Sequence, residues 1–269
     1  MTKKAQVVRA FGGYRHGQMH YRISRPQSPS HPPLLCLHMS PSSGRIYRRL
    51  LSEIGQDRIG IAPDTPGFGE TDVPPAPLEI ADFAEANFGL IDQLGIDVPI
   101  DVMGYHTGSL TAVEMARQRP QRVRRLVIVS AAIFTPEELE EFRTHYGPQE
   151  ITEDGAHLAR LWKAIRHWRD TDQSLELSME HFAEHLRGGV NAWWGHRAAF
   201  NYDLGGVLPG IEQPILVLNP EDDLHEHTLR SAPLVKNGHI RELPGWSHGF
   251  IEIYPEAVAS ILREFLDAG

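Results

Sequence analysis

The segment from residue 100 to residue 116 constrains the fold more than any other part of the chain. Residues 100–105 form a short apolar run that breaks at Gly104, and residues 109–116 carry apolar side chains at helical spacing. Because Gly104 and Gly108 lack a Cβ atom, a strand and a helix can approach each other closely around a sharp turn. The segment therefore predicts a buried strand, a strained turn with His106 at its tip, and a helix.

Apolar runs and helical patterns alternate along much of the chain. An opening hairpin is predicted at 7–23, and buried strands are predicted at 34–37, 58–62, 100–105, 123–129, 214–218 and 239–243. Helical patterns end near residue 54 and residue 119 and also cover 80–94 and 255–266. This alternation predicts an α/β fold with a mostly parallel sheet, right-handed crossovers and helices on both faces.

The alternation stops in the second half of the chain. From residue 135 to about residue 202 there are only helical patterns, at 136–144, 157–169, 174–186 and 191–201. A helical segment of this length between two sheet strands predicts a lid over the active site. We therefore expect a core domain formed by residues 1–132 and 203–269, and a helical cap domain formed by residues 133–202.

Composition and charge narrow the choice of partners and compartment. The chain has 269 residues, of which 41% are hydrophobic, so it can bury a large core. Its formal net charge is −9, so it has no surplus of basic residues with which to bind nucleic acid or an anionic membrane. A small-molecule ligand fits this charge better. Cys36 is the single cysteine, and no apolar stretch follows residues 1–6, so we expect no internal disulfide, no signal peptide and a cytoplasmic protein.

Four marks occur in one order along the chain. They are the pair Leu37-His38, the turn-rich segment 64–69 (Asp-Thr-Pro-Gly-Phe-Gly), the Gly-x-His-x-Gly turn at 104–108, and a late Asp223 followed by His248. With these marks, the sequence resembles the α/β-hydrolase superfamily, and within it the capped esterase and C–C-bond hydrolase branch. The resemblance covers nearly the whole chain and implies the α/β-hydrolase fold.

The resemblance also implies a catalytic set. The nucleophile position of the family falls on His106 instead of a serine, the base falls on His248, and the acid falls on Asp223. Asp222 competes for the role of the acid, and Asp223 is preferred because it lies next to the apolar Leu224, as the family's acid usually does.

The family's oxyanion donors would be two backbone amides. They fall on Thr107, which follows the elbow residue, and on Ser40 in the loop after His38. In that loop the sequence has Met39 where the family usually has glycine, so the loop departs from the family pattern. His38 itself is interpreted as a support for the loop that hydrogen-bonds the backbone.

An imidazole at the elbow changes the available chemistry. Neutral histidine carries a lone pair at neutral pH, so His106 can act as a base or as a nucleophile without a partner that activates it. We expect Asp223 to orient His248, and His248 to accept a proton from one nitrogen of His106. An imidazole reaches roughly 2 Å further than a serine hydroxyl, which favours a general base over an acyl carrier.

These residues support three hypotheses of different classes. The first is hydrolysis of an ester, a lactone or an activated C–C bond in a small, moderately apolar substrate. The second is a lyase without a cofactor, which uses His106 as proton acceptor, because oxyanion donors also stabilise an enolate. The third is a protein that binds a ligand on this fold without turning it over.

Further candidates surround the predicted centre. Besides His38 and Met39, residues that could contact a substrate lie in or directly after the last helical pattern of the cap, at Trp193, Trp194, Phe200 and Tyr202; the same aromatic side chains fit packing of the cap on itself equally well. His225 and His227 could join His106 and His248 around a metal, but no His-Glu-x-x-His motif or cysteine pair supports zinc. We therefore expect neither a metal nor an organic cofactor.

Overall fold

The computed structural model describes residues 4–268, so the first residues of the segment 1–6 lie outside the described part of the chain. Its centre is an eight-stranded sheet with the order β1-β2-β4-β3-β5-β6-β7-β8. The strands are β1 (Val7–Tyr14), β2 (Gly17–Ser24), β3 (Leu34–Leu37), β4 (Gly60–Pro63), β5 (Ile100–Tyr105), β6 (Val123–Val129), β7 (Ile215–Pro220) and β8 (Gly238–Leu243).

The sheet is parallel apart from its first edge. Strands β1 and β2 form an antiparallel hairpin, β2 pairs antiparallel with β4, and all other neighbours are parallel. Strand β5 lies between β3 and β6, with Gly104 opposite Leu37 on one side and Ile128 on the other. The residue that follows β5, His106, is thus placed at the carboxyl edge in the middle of the sheet, where ligands bind in open α/β folds.

Helices cover both faces of the sheet. They are α1 (Arg48–Ile54), α2 (Ile80–Gln93), α3 (Thr107–Gln118), α4 (Pro136–His145), α5 (Ala156–His167), α6 (Leu175–Arg187), α7 (Trp194–Asn201), α8 (Leu204–Val207), α9 (His225–Leu229), α10 (Phe250–Ile253) and α11 (Pro255–Leu266). Two buried clusters separate the layers, one with α2 and α3 and the other with α1, α10 and α11. In β6, Leu126 and Ile128 point into the first cluster and Val127 and Val129 into the second, as the twofold period of a strand requires.

Helices α4 to α8 lie between β6 and β7, and the first four of them, from Pro136 of α4 to Asn201 of α7, are called the helical insertion here. Its helix α6 is tied to the core by polar contacts. His181 pairs with Glu252, and the hydroxyl of Ser43 donates to Glu184 over 2.5 Å. The insertion therefore rests on the core through charge-assisted hydrogen bonds in addition to apolar packing.

The structure confirms the α/β-hydrolase fold that the sequence predicts. The short helices α8, α9 and α10 were not predicted, because four or five residues are too few to reveal a period of 3.6. In the described part of the insertion, the single β-bridge joins Arg169 to His248 of the core. None of the helices in the described residues is both long and apolar enough to cross a membrane.

Candidate active site

The turn between β5 and α3 holds His106 in a strained conformation. Its φ is 48° and its ψ is −114°, a region that side chains other than glycine rarely occupy. A Cβ atom on Gly104 would lie 2.1 Å from the carbonyl oxygen of Gly108. A Cβ atom on Gly108 would lie 2.1 Å from the carbonyl oxygen of Leu37. Both glycines are therefore required where strand and helix meet, and the turn raises His106 from the sheet edge.

His106 pairs with Asp222, which follows β7. The Nε2 atom of His106 lies 3.1 Å from Oδ2 of Asp222, whose side chain is fully buried. Asp222 also accepts from the hydroxyl of Ser130 over 2.6 Å and from the amide of Leu224 over 2.9 Å. Burial opposes ionisation of this carboxyl, but the hydrogen bond from His106 and the nearby imidazoles outweigh it and lower the pKa of Asp222. Asp222 is thus a carboxylate that fixes the ring of His106.

A second histidine–aspartate pair lies beside the first. The Nε2 atom of His248 is 2.7 Å from Oδ1 of Asp223. Burial disfavours the imidazolium, but the hydrogen bond and charge of Asp223 outweigh this effect and raise the pKa of His248. Burial of Asp223 disfavours its carboxylate, but the hydrogen bond from His248 outweighs this effect and lowers the pKa of Asp223.

The hydroxyl of Tyr105 lies between the two pairs. It is 3.3 Å from Nδ1 of His248 and 3.4 Å from Oδ2 of Asp222, at the long end of hydrogen-bond distances. Burial raises the pKa of Tyr105 well above its ordinary value, so the phenol is neutral. It can accept from His248 and donate to Asp222, which connects the two pairs.

This pairing differs from the expected line of Asp223, His248 and His106. The rings of His106 and His248 are 5.1 Å apart between centroids and meet edge to face, and among residues 4–268 no hydrogen bond joins them. Each imidazole instead has its own aspartate, because the turn directs the ring of His106 toward the end of β7. The adjacent residues Asp222 and Asp223 thus supply one carboxylate to each imidazole.

Of the two expected oxyanion donors, Thr107 lines the cavity directly after the elbow residue. Thr107 is the first residue of α3 and is buried, and its amide has no backbone partner within the described chain. A helix N-terminus of this kind favours negative charge. Ser40 is buried and contacts the insertion, since a Cβ atom on Gly195 would lie 2.1 Å from its Oγ.

His38 and Met39 lie beneath the loop that carries Ser40. The Nδ1–H of His38 donates to the carbonyl oxygen of Met39 over 2.7 Å, and its Nε2 accepts from the amide of Thr65 over 2.8 Å. Burial lowers the pKa of His38, which suits this neutral ring with one donor and one acceptor. The backbone thus uses both nitrogens of His38, while Met39 packs on the core cluster of α1 and α11.

A cavity of about 330 Å³ opens beside His106 and Asp223. Most of the side chains around it are apolar or aromatic, and they come from the sheet edge, from α4 and from α7: Ile133, Phe134, Leu139, Phe142, Tyr146, Phe200 and Tyr202. Tyr202, which the sequence singled out, lines this cavity and donates its hydroxyl to Glu114 over 3.0 Å.

Four other candidates, His38, Met39, Trp193 and Trp194, do not belong to the described lining. The two tryptophans lie at the start of α7, and the residues of that helix that line the cavity begin at His196. Sequence reasoning did not single out His196.

The residues of the two pairs also form a possible donor set for a metal. One ligand atom from each of His106, Asp222, Asp223 and His248 lies within 4.8 Å of the others. Two imidazoles and two carboxylates suit a divalent ion such as Zn²⁺, but each imidazole already donates to a carboxylate, so a cation would have to displace these protons. His225 of α9 does not belong to this group, since its Nδ1 bonds the carbonyl oxygen of Pro220 over 3.0 Å.

Comparisons with known proteins agree with the fold. Residues 32–208 match the family model described as alpha/beta hydrolase fold. The chain is 24% identical to a poly(3-hydroxyalkanoate) depolymerase of Ectopseudomonas oleovorans, covering 90% of this chain and 87% of the relative. It is 25% identical to a 2-(acetamidomethylene)succinate hydrolase of Mesorhizobium japonicum, covering 89% of each.

A solved structure supports the same conclusion. The enol-lactonase of Burkholderia xenovorans LB400 superposes with a TM-score of 0.80 at 18% identity, over 96% of this chain and all of the other. Since the family model matches more than half of the residues, the chain belongs to the α/β-hydrolase fold family.

Proposed function

We propose that the protein hydrolyses an ester, a lactone or an activated C–C bond in a small, moderately apolar substrate, with His106 as the general base. One observation carries this proposal. The Nε2 atom of His106 is engaged by a buried carboxylate, while Nδ1 has no partner within residues 4–268 and the side chain lines the cavity. Hydrolases among the relatives, including the succinate-derivative hydrolase, support this reaction class.

The mechanism follows from the tautomer that Asp222 selects. The carboxylate accepts the Nε2–H of His106, so the lone pair lies on Nδ1. Nδ1 takes a proton from a water molecule, and the hydroxide adds to the substrate carbonyl carbon. The amides of Thr107 and Ser40 stabilise the oxyanion, and the imidazolium returns the proton to the leaving group as the tetrahedral intermediate collapses.

The second pair balances the charge of this step. The raised pKa of His248 favours its imidazolium form, so one cationic ring lies beside the two carboxylates before the base acts. When His106 takes up a proton, the four groups become neutral together, which offsets the repulsion between two adjacent imidazolium rings. We infer that the role of His248 and Asp223 is electrostatic.

We also propose that the helical insertion acts as the lid. It contributes Tyr146 and Phe200 to the cavity, and its Gly195 packs against Ser40 of the oxyanion loop. Its residue Arg169 bridges to His248, the histidine of the second pair. A segment with contacts to both loops of the centre can control access of substrate and water.

The reaction type is tested by a turnover screen in water enriched in heavy oxygen. Short esters, lactones and β-diketones are offered to the wild type, to His106→Ala and to His239→Ala, which alters an exposed histidine of β8 outside the centre. The proposal expects turnover by the wild type and His239→Ala, its loss in His106→Ala, and heavy oxygen in the product.

Other outcomes of the screen point to the competing hypotheses. Turnover without heavy oxygen in the product identifies a lyase, and tight binding without turnover identifies a binding protein. Equal activity of the wild type and His106→Ala contradicts the role of His106. Retained activity after treatment with a chelator supports the expectation that no metal takes part.

A further inference from the structure

The helical insertion carries a second imidazole into the cavity. His196 lies on α7 and lines the same cavity as His106, which comes from the sheet side. Its ring packs on Tyr146, with centroids 4.6 Å apart and planes at 32°, and lies parallel to Phe200 at 6.2 Å. These contacts fix the ring in one orientation on the cavity wall.

His196 differs from the other histidines around the centre in its hydrogen bonds. Within residues 4–268 neither of its ring nitrogens has a hydrogen-bond partner. By contrast, His38 bonds the backbone on both sides, His185 donates to the carbonyl oxygen of His181 over 2.8 Å, and His248 pairs with Asp223. The side chain of His196 is half-buried and its ring is open to the cavity, so water or a ligand there is its available hydrogen-bond partner.

The environment keeps this ring neutral. Burial lowers the pKa of His196 to about 4, and the neighbouring His185 and His106 lower it further. Of the charged groups around it, Asp223 acts in the opposite direction but does not outweigh burial. At neutral pH the ring thus offers one N–H donor and one lone pair to a ligand.

A hydrogen-bonding ring on a mostly apolar cavity wall favours a ligand that can bond to it. Phe142, Phe200 and Tyr146 surround His196 with aromatic surface, which suits a flat apolar body in the ligand. A ligand that combines such a body with one hydrogen-bonding group recovers the bond that the ring lacks.

We propose that His196 is a substrate-binding residue that selects small aromatic or cyclic substrates bearing a hydroxyl or carbonyl group in addition to the bond that is cleaved. The inference rests on the proposed function in one respect, since it takes this cavity to be the substrate site. His106 acts on the reacting bond from the sheet side, and His196 holds the second polar group from the insertion.

Binding of two matched probes tests this role without turnover. The dissociation constants of 4-ethylphenol and 4-ethyltoluene, which differ by one hydroxyl in place of a methyl group, are measured by calorimetry. His196→Phe keeps the aromatic packing on Tyr146 and removes both nitrogens. We expect it to weaken binding of 4-ethylphenol about tenfold, the size of one neutral hydrogen bond, and to change binding of 4-ethyltoluene less than twofold.

Two further variants complete the experiment. His196→Gln retains a donor and an acceptor and is expected to restore most of the affinity for 4-ethylphenol. His145→Phe alters an exposed histidine whose ring also contacts Tyr146 but which does not line the cavity, and it should leave both constants unchanged. If His196→Phe does not fold, as judged by circular dichroism, His196→Leu takes its place.

The inference is overturned if the substitutions at His196 weaken both probes equally or neither, or if the wild type binds neither probe. The two experiments distinguish failure of this inference from failure of the proposed function. Hydrolysis in the heavy-oxygen screen together with unchanged binding constants contradicts the role of His196 alone. The expected binding pattern without any turnover contradicts the hydrolase and leaves the binding site in place.

Discussion

Replacing Asp222 with asparagine tests the pairing of the two histidines. Asp222 accepts hydrogen bonds from His106 at 3.1 Å, from Ser130 at 2.6 Å and from the amide of Leu224 at 2.9 Å, besides a long one of 3.4 Å from the hydroxyl of Tyr105. Asparagine has nearly the same size but only one acceptor oxygen, and the amide of Leu224 holds that oxygen on its side. The NH₂ group of the variant then faces His106.

This reversal changes the tautomer of the base. An NH₂ group donates, so Nε2 of His106 must accept, and the proton moves to Nδ1. The nitrogen that takes the proton from water then has no lone pair. General-base catalysis contributes about 10²-fold to 10⁴-fold, and loss of the correct tautomer in a serine-protease triad costs about 10⁴-fold, so we expect kcat of Asp222→Asn to fall about 10³-fold to 10⁴-fold.

Asp223→Asn is the matched control. It alters the neighbouring residue and the pair with His248, but it leaves the contact between His106 and Asp222 intact. We expect kcat to fall about tenfold, as for loss of a nearby charge, and ¹⁵N resonances of His106 to report the wild-type tautomer. In Asp222→Asn the same resonances should report the other tautomer, a result that does not depend on turnover.

The reverse outcome refutes this reasoning. If Asp222→Asn keeps kcat within about threefold of the wild type while Asp223→Asn loses nearly all of it, the line of Asp223, His248 and His106 that the sequence predicted carries the reaction. An unchanged tautomer of His106 in Asp222→Asn leads to the same conclusion.

Three further predictions have defined outcomes. Gly108→Ala places a Cβ atom 2.1 Å from the carbonyl oxygen of Leu37, so it should lower the free energy of unfolding, measured in urea, by about 3 kcal/mol. As its control, Gly89→Ala adds a Cβ atom in open space on α2 and should raise the free energy of unfolding by about 0.5–1 kcal/mol. Because the folded protein raises the pKa of His248, protonation of this ring stabilises the fold. This stabilisation is fully present below the unfolded-state pKa of about 6.5 and is lost as the pH rises through the folded-state pKa. Above the folded-state pKa, the melting temperature of the wild type should therefore fall toward that of His248→Gln. His106→Ser should fold normally but show no hydrolysis of 4-nitrophenyl acetate, because Asp223 engages Nε2 of His248 and leaves a serine without a base; clear hydrolysis by the folded variant would favour the single triad that the sequence predicted.

Much of the fold was predictable because its elements are long and bounded by turn residues. Strand β6 (Val123–Val129) coincides with its predicted range, and helix α2 (Ile80–Gln93) differs by one residue at its end. The strand, turn and helix around His106 follow from the two glycines, whose missing Cβ atoms allow the close contact. Helices such as α9 (His225–Leu229) are too short for a period to emerge.

The partners within the centre could not be predicted in the same way. The choice between Asp222 and Asp223 depends on side-chain directions at the end of β7, and neighbouring residues in a sequence carry no such information. In the structure the two carboxylates serve two different imidazoles. The family pattern has one histidine at this place and thus provides one acid.

His196 was overlooked for a related reason. Aromatic side chains draw attention in the helical pattern of 191–201, but only residues on one side of α7 reach the cavity. The useful signal was its spacing, since His196 lies four residues before Phe200 and so shares its side of the helix. This spacing places His196 on the side of α7 that lines the cavity.

The activity ratio between wild type and His106→Ala on one substrate, measured as kcat/KM at neutral pH, tests the central claim most directly. The substrate is the one that incorporates heavy oxygen fastest in the screen. An active base at the elbow predicts a ratio of at least about 10² in favour of the wild type, with unchanged secondary structure in the variant. A ratio within about threefold of unity would contradict the assignment of His106 as the base.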